Sequence, residues 1–247
     1  MTTAIIGGTG LSQINGLQVL EKRQLSTPFG SPSADYLLGQ LNGKDIIFLT
    51  RHGNPHIIPP HKINYCANIW GLKELGVKQI VAVAAVGGIT TAMHPGRIII
   101  PEQIIDYSYG RQHSFFEDNL GQLDQVVHID FTQPYSEEIR KQLNNAAHLA
   151  DLDVHSGGVY GCTQGPRLET AAEISRMERD GCDLVGMTGM PEAALARELK
   201  LEYATCAIVA NWAAGKTKGE ITMSEIEQNL KAGIANTTLL LEKFIDD

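Results

Sequence analysis

The sequence lacks the excess of positive charge, the long apolar runs and the paired cysteines that mark several specialised classes of protein. Its formal net charge is −8, which argues against nucleic acid or an acidic membrane surface as a partner. No apolar run approaches a membrane span, and we expect no signal peptide because Met1 leads almost directly into a predicted strand. We therefore expect a cytoplasmic protein, in which any anionic ligand must be held by a few local cations and backbone dipoles.

Cysteine pairs and metal-ligand spacings are also missing. The four cysteines are scattered without a C-x-x-C pair, at Cys66, Cys162, Cys182 and Cys206. This pattern favours buried, reduced thiols and predicts no metal site. His56 and His61 lie in a loop with three prolines, where histidines are more typical of polar loop residues than of metal ligands.

Apolar residues, by contrast, are plentiful. They make up 43% of a 247-residue chain, which is enough for the core of one α/β domain. Apolar runs predict buried strands at 3–6, 45–50, 79–88, 97–100, 103–106, 158–161 and 203–210. Amphipathic patterns predict helices at 64–76, 136–151, 170–180 and 224–245. Thr170 with Glu173 and Ser224 with Glu227 are predicted to cap the last two of these helices.

The stretch 183–192 predicts a buried strand that turns sharply into a helix. Pro191 and Glu192 suit the first turn of that helix. Corners of this kind expose backbone N–H groups at the carboxyl edge of a sheet, where open α/β folds bind ligands. Thr188 offers a hydroxyl to an anion, and Met187 offers an apolar surface to a sugar. Taken alone, the stretch is explained at least as well by an ordinary corner with a packed methionine.

Three further strands end in similar residues. The first is followed by the glycine-rich loop 7–10, in which backbone N–H groups and the Thr9 hydroxyl could converge on an anion. Another is followed by Arg51 and His52, and a guanidinium fork matches two phosphate oxygens. A tight turn and a surface arginine are the simpler explanations of each motif by itself. Together with the strand that ends at Asn211, they predict a ligand site at one sheet edge.

The motifs resemble, in order along the chain, those of the trimeric purine nucleoside phosphorylase family, especially its methylthioadenosine and methylthioinosine phosphorylase branch. They are Gly7-Gly8-Thr9-Gly10, Thr27-Pro28-Phe29-Gly30, Arg51-His52-Gly53, Asn64-Tyr65-x-Ala67-Asn68-Ile69-Trp70, Gly165-Pro166-Arg167 and Gly186-Met187-Thr188-x-x-Pro191-Glu192. The resemblance implies one domain over residues 1–247, with a mixed central β-sheet flanked by helices, assembled as a homotrimer.

The resemblance also implies a reaction and a set of site residues. Phosphate would attack C1′ of a purine nucleoside, and the base would leave with a proton on N7, without a metal or organic cofactor. Phosphate is expected to be held by Thr9, Arg51, His52, Thr188 and the pair Ala84 and Ala85. The nucleoside is expected to contact Met187, His56, Leu168, Glu169, Asn211, Trp212, Ala213, Met223, Ser224, Ile226 and, from a neighbouring subunit, His128. Arg51, Thr188 and Asn211 would act in catalysis.

Two of these positions indicate which base is bound. Asn211 can donate an amide N–H to O6 and accept the N7 proton as the base leaves. The Glu169 carboxylate can accept N1–H of a 6-oxopurine, whereas adenine has a lone pair there. Relatives that act on 6-aminopurines have aspartate at positions 211 and 213 and serine at 169. A glutamate that only complements a helix dipole would also explain Glu169.

The start of the last predicted helix indicates which sugar is bound. Relatives that act on inosine place a histidine there, but residues 219–230 contain none. A wall of Met223, Ser224 and Ile226 favours a methylthio group over a hydroxyl by about 1–3 kcal/mol. The sequence therefore predicts phosphorolysis of S-methyl-5′-thioinosine to hypoxanthine and 5-methylthioribose 1-phosphate.

Several alternatives remain open. Within the same fold, the chain could act on 5′-methylthioadenosine or on inosine and guanosine. A Rossmann-type NAD-binding protein would need a third glycine where Gln13 stands. A nucleoside-binding protein without activity would not need a phosphate clamp. Arg51 and Thr188 therefore argue against this alternative.

Overall fold

The computed structural model describes residues 2–8, 11, 14–117 and 127–246. Within these residues the strands are β1 (Thr3–Gly7), β2 (Gln18–Arg23), β3 (Tyr36–Leu41), β4 (Lys44–Thr50), β5 (Gln79–Gly88), β6 (Ile98–Ile100), β7 (Gln103–Asp106), β8 (Val154–Ser156), β9 (Val159–Cys162), β10 (Leu184–Gly186) and β11 (Glu202–Trp212). The α-helices are α1 (Tyr65–Glu74), α2 (Glu137–Leu149), α3 (Ala171–Arg179), α4 (Gly189–Glu198) and α5 (Met223–Asp246).

The strands form one mixed sheet, which confirms the predicted α/β fold class. Its order is β2-β3-β4-β1-β5-β10-β9-β7, and β11 joins β5 to β6, which in turn pairs with β8. β1, β4, β5 and β11 run parallel to one another, whereas β10 meets β5 in the antiparallel sense. The carboxyl ends of several strands therefore meet near the junction of β5 and β10.

β5 is the central strand, and its neighbour changes along its length. On one side it pairs with β11 throughout. On the other side it pairs with β1 up to Ala82 and with β10 only at Gly87 and Gly88. Among the described residues, the segment 83–86 thus has a strand neighbour on the β11 side alone. The sheet has a gap here, and backbone groups that face the gap can bind side chains or a ligand.

The core has a layer on each face of this strand. Val81 and Val83 pack in the layer that includes α2 and α5, whereas Ile80 and Ala82 pack in the layer that includes α1 and α4. Successive side chains of a strand point to opposite faces, so a strand covered on both faces must be apolar throughout. This confirms the prediction made from the apolar run at 79–88.

Local capping signals agree with the predicted helices except at the last one. Thr170 and Glu173 form the predicted capping box of α3. The prediction that Ser224 and Glu227 cap the last helix is wrong, because α5 begins at Met223 and the Thr222 hydroxyl accepts the Glu225 N–H at 3.3 Å. Residues 222–225 contain the same signature, a Ser or Thr followed three residues later by Glu, two residues earlier in the chain. The structure caps α5 with this signature.

Three strands were not predicted. β2 is an exposed edge strand with charged residues, β3 has Gly39 within its apolar sequence, and β8 has only three residues. None has the apolar run or clean alternation that marks a buried strand. Their pairing depends on neighbours that lie elsewhere in the sequence.

Candidate active site

A cavity of about 280 Å³ opens at the gap beside β5. Residues from the ends of β4, β5, β10 and β11 line it, so the predicted convergence of strand ends is present. The predicted site residues that line it are Arg51, His52, Ala84, Ala85, Leu168, Glu169, Met187, Thr188, Asn211, Ala213, Met223 and Ile226. Some of them surround Arg51, and others surround Glu169 and Asn211.

Some predicted residues do not line this cavity. Trp212 and Ser224 are absent from its wall, and Ser224 is exposed. His56 is exposed and stacks on His52, with ring centroids 4.3 Å apart. His128 is exposed, and its expected place in a neighbouring subunit stays a prediction. Thr9 lies outside the described residues.

The prediction missed other wall residues, which are Gly8, Pro60, Val86, Gly87, Pro166, Val185, Gly186, Ala210, Ala214 and Ile221. Most are small and apolar, and they carry no chemical signal in the sequence. Gly8 and Pro166 belong to motifs that were recognised. A methyl group at Gly8 would collide with the Val83 carbonyl, so glycine is needed for this close approach.

Arg51 forms a buried ion pair with Glu192 through the Nε side of its guanidinium. Its Nε and Nη2 donate to the two carboxylate oxygens of Glu192 at 2.7 and 2.8 Å, and the two side chains are 1% and 0% exposed. Nη1 donates to Val83 O at 2.9 Å, and the Tyr203 hydroxyl donates to Glu192 at 2.9 Å. The predicted contact of Arg51 with phosphate stays a prediction, and only the remaining N–H groups of Nη1 and Nη2 could make it.

The sequence suggested that Glu192 complements the helix dipole, and the structure adds that its carboxylate pairs with Arg51. Burial opposes the charge on Arg51, but the attraction of Glu192 more than offsets this and raises the pKa of Arg51. The guanidinium stays charged, and its bonds to the described residues use one N–H of each terminal nitrogen, so the second one has no partner among them. Arg51 can therefore contact an anion through these N–H groups at the cavity wall.

Backbone groups supply further anion-binding capacity. Val83 O faces the gap, as its bond to Arg51 demonstrates. Backbone groups alternate between sides along a strand, so the N–H of Ala85 faces the same gap. Thr188 lines the cavity just before α4, whose backbone is non-helical at Met190, and its side chain caps no backbone N–H of that helix.

The ring of His52 is neutral and fixed in one tautomer. Burial, followed by the nearby charge of Arg51, lowers its pKa from 6.5 to about 4. Nδ1 lies 2.8 Å from Ile58 O, and since a carbonyl only accepts, Nδ1 carries the proton. Nε2 therefore has a lone pair. His52 can accept a hydrogen bond from a protonated phosphate oxygen but cannot donate one to an unprotonated oxygen.

A bulge in β11 positions Asn211. The register with β5 shifts between Val209 and Asn211, and bulges of this kind redirect side chains next to functional sites. One N–H of the Asn211 amide donates to Trp212 O at 2.7 Å. The second N–H and the carbonyl oxygen remain for a ligand. The donor and acceptor roles predicted for Asn211 are thus both chemically available.

Glu169 stands between this cavity and a second one. The neighbouring cavity, of about 380 Å³, is lined by Tyr107, Tyr109, Thr163, Gln164, Gly165, Arg167, Glu169, Glu173, Arg176 and Met177. Its Arg167 is already paired with Glu173 at 2.8 Å. The strand ends and the buried cation lie at the smaller cavity, which we therefore identify as the candidate active site.

Arg111 links two segments around the site through hydrogen bonds, a role that the sequence did not reveal. It is buried, and Nη1 donates to Met187 O at 2.9 Å and to Met190 O at 2.6 Å. Nη2 donates to Thr163 O and Gln164 O at 3.0 and 2.8 Å. Arg111 thereby links the segment that carries Met187 to the segment that leads to Glu169.

Within the described residues, no helix is long and apolar enough to cross a membrane, and no cluster of three or more His, Cys, Asp or Glu side chains could hold a metal ion. The four cysteines are free and buried, as predicted.

The cavity lies at the carboxyl ends of strands in an α/β sheet, which is where open α/β folds bind ligands. The chain belongs to the phosphorylase superfamily, whose family model matches residues 2–246. This confirms the family indicated by the sequence motifs.

Several known proteins are similar to this chain over at least 90% of its length. A "Probable S-methyl-5′-thioinosine phosphorylase" from Pseudomonas syringae pv. tomato is 53% identical over 98% of this chain and 97% of its own length. A "6-oxopurine nucleoside phosphorylase" from Pyrococcus furiosus is 47% identical over 90% of this chain and 84% of its own length. A solved methylthioadenosine phosphorylase from Schistosoma mansoni has a TM-score of 0.94 at 29% identity, covering 99% of this chain and 91% of its own.

Proposed function

We propose that this chain is a pentosyltransferase that cleaves S-methyl-5′-thioinosine with phosphate, giving hypoxanthine and 5-methylthioribose 1-phosphate. The observation that carries the proposal is that the Glu169 carboxylate and the Asn211 amide line one cavity, with alanine at position 213. This set provides an acceptor for N1–H and a donor for O6, which a 6-oxopurine needs. It offers no carboxylate at positions 211 and 213 for the exocyclic amine of adenine.

The polar end of the cavity would hold the nucleophile. The N–H groups of Arg51, the N–H of Ala85 and the Thr188 hydroxyl would bind phosphate oxygens, and Nε2 of His52 would accept a hydrogen bond from a protonated phosphate oxygen. Phosphate then attacks C1′ as the bond to the base breaks. The negative charge of phosphate stabilises the oxocarbenium-like transition state, and Met187 lies under the sugar.

The leaving base would be stabilised at the other end of the cavity. As the glycosidic bond breaks, negative charge develops on the purine and N7 takes up a proton. The Asn211 carbonyl would accept the N7–H, and its free N–H would donate to O6. These contacts strengthen as the base leaves, so Asn211 acts chiefly in the transition state.

The 5′ end distinguishes the proposed substrate from an ordinary nucleoside. Ile221, Met223 and Ile226 line this end and offer no hydrogen-bond donor for a 5′-hydroxyl. The second candidate is a 6-oxopurine nucleoside phosphorylase acting on inosine, and the similarity to the Pyrococcus furiosus protein named as a 6-oxopurine nucleoside phosphorylase supports it. It would use Glu169 and Asn211 in the same way.

A substitution at Met223 tests the 5′ assignment. Met223→His adds a donor near the 5′ position and should shift the ratio of kcat/KM from methylthioinosine towards inosine. Met223→Leu is the matched apolar control and should leave the ratio close to that of the wild type. The assignment fails if the wild-type enzyme already cleaves inosine as well as methylthioinosine.

One assay tests the proposed function as a whole. Phosphate-dependent release of free base is measured from methylthioinosine, methylthioadenosine, inosine and guanosine, and kcat/KM values are compared. Methylthioinosine should give the highest value. Since we propose that no metal or organic cofactor takes part, dialysis against a chelator should leave the rate unchanged. A preference for methylthioadenosine would overturn the assignment of the base.

We also propose that the chain acts in the cytoplasm as a homotrimer. Four buried, unpaired thiols fit a reducing compartment, and cell fractionation tests that location. The exposure of Met223 and Leu168 at the cavity wall, 66% and 45%, supports an assembly in which a neighbour covers them.

A further inference from the structure

Thr163 lies directly behind Glu169, outside the wall of the active-site cavity. It follows the last residue of β9, and its backbone N–H donates to Gly186 O at 2.8 Å. The Thr163 hydroxyl lies 2.6 Å from Oε1 of Glu169 and 3.3 Å from Gly186 O. Since β9 pairs in register with β10 beside the cavity, the strand ends fix the position of this hydroxyl.

The Thr163 hydroxyl donates its hydrogen bond to Oε1 of Glu169 rather than to Gly186 O. Gly186 O already accepts the Thr163 backbone N–H, and a carboxylate is the stronger acceptor at the shorter distance. Within the described part of the chain, this hydroxyl is the one hydrogen-bond partner of the Glu169 carboxylate. Oε1 is thereby occupied, and Oε2 is left for a ligand.

The neighbouring cation does not replace this contact. Arg167 lines the larger cavity together with Glu169, but its guanidinium is occupied by both carboxylate oxygens of Glu173, at 2.8 and 2.9 Å. Glu169 is half-buried on a segment without regular structure between β9 and α3. Without the Thr163 hydroxyl, rotation about its side-chain bonds could carry the carboxylate towards the larger cavity and solvent.

We propose that Thr163 is a positioning residue for base specificity, which holds Oε1 of Glu169 so that Oε2 accepts N1–H of a 6-oxopurine. This inference rests on the proposed function and deepens it. Thr163 does not touch the substrate and acts through Glu169. Discrimination against adenine then depends on a pair of residues, because a fixed carboxylate excludes the N1 lone pair and a mobile one can turn away.

The test compares substrates across a double-mutant cycle. Thr163→Val removes the hydroxyl while keeping the size and branching of the side chain, and Thr163→Ser retains the hydroxyl. For Thr163→Val, the ratio of kcat/KM for methylthioinosine to that for methylthioadenosine should fall about tenfold. The change should lie mainly in KM, because the N1–H contact exists in the bound substrate as well as in the transition state. Thr163→Ser should restore most of the ratio.

The Glu169→Ala background separates positioning from a general structural effect. There, adding Thr163→Val should leave the substrate ratio unchanged, since the hydroxyl has no carboxylate to hold. The proposal is overturned if Thr163→Val lowers both substrates equally, or if it shifts the ratio as much without Glu169. Failure of the proposed function would be visible separately, as a wild-type enzyme that does not prefer methylthioinosine.

Discussion

Arg51 illustrates how a single residue serves the phosphate end and the fold together. Its Nε and Nη2 are bound to Glu192, which also accepts the Tyr203 hydroxyl, and these side chains are buried. Removing one member of a buried ion pair leaves the other charge without compensation. The pair is therefore required for stability as well as for holding the free N–H groups of Arg51 at the cavity.

Arg51→Ala should lower the free energy of unfolding by about 3–5 kcal/mol, because it leaves the buried Glu192 charge unpaired. Phosphate binding should weaken as well, because the N–H groups of Nη1 and Nη2 at the cavity wall are removed. Urea unfolding and phosphate saturation curves measure the two effects. The double variant Arg51→Met with Glu192→Met should recover most of the stability and none of the phosphate affinity. Equal stability of wild type and Arg51→Ala would contradict the ion-pair argument.

His52 makes the stability of the protein depend on pH. Its pKa is lowered from 6.5 to about 4, so between these values the unfolded chain binds the proton and the folded one does not. This contribution is fully present above about pH 6.5 and is lost as the pH falls towards 4, by up to about 3 kcal/mol. His52→Asn keeps a donor for Ile58 O and should show a shallower loss in urea unfolding between pH 7 and 4. Parallel curves for the two proteins would exclude this role of His52.

At the level of elements, the bulge in β11 determines which of its side chains reach the cavity wall. It brings Asn211 and Ala213 to the cavity wall, while Trp212 between them does not line it. Glu169 reaches the same wall from the segment that precedes α3. The proposed recognition of the base thus combines two elements that are distant in sequence.

Asn211→Asp should reduce kcat/KM for methylthioinosine by about 2–4 kcal/mol, because a carboxylate facing O6 repels it and loses the donor. The single variant should gain little for methylthioadenosine while Glu169 still faces the N1 lone pair. The gain should appear when Glu169→Ser and Ala213→Asp are added, and the three effects should not be additive. Both substrates are measured on the single and triple variants. No gain for methylthioadenosine in the triple variant would refute this account of base selection.

At the level of the whole molecule, one chain leaves part of the cavity wall uncovered. Met223, at the start of α5, is 66% exposed, and Leu168 is 45% exposed. Exposed apolar surface around a site is typical of an interface. The proposed trimer would place a neighbouring subunit there, with His128 as a candidate contact.

Light scattering should therefore give a mass of about three times the 26.9 kDa chain. His128→Ala should raise the KM for the nucleoside while leaving the phosphate KM and the mass unchanged, because only the 5′ wall is affected. His94→Ala, at another exposed histidine that does not line the cavity, is the matched control. A stable monomer with full activity would exclude the trimer and the proposed place of His128.

The sequence by itself determined the features that depend on local patterns. The apolar run of β5, the capping box of Thr170 and Glu173 and the strand ends at Arg51 and Asn211 were each predictable. Their signals lie within a few residues, since strand burial, helix caps and turns depend on neighbouring side chains and backbone geometry. The family resemblance added which ligands and which reaction to expect at the site that these ends predict.

Tertiary structure decided the partners of the polar side chains. Arg51 had the right chemistry for phosphate, yet Glu192, 141 residues further on, pairs with its Nε and Nη2. Likewise, the hydroxyl of Thr163 is aimed at Glu169 because β9 and β10 fix its backbone. Burial makes such pairings decisive, since a charge removed from water must find a partner within reach. That partner is set by packing across the sheet, which no local pattern in the sequence specifies.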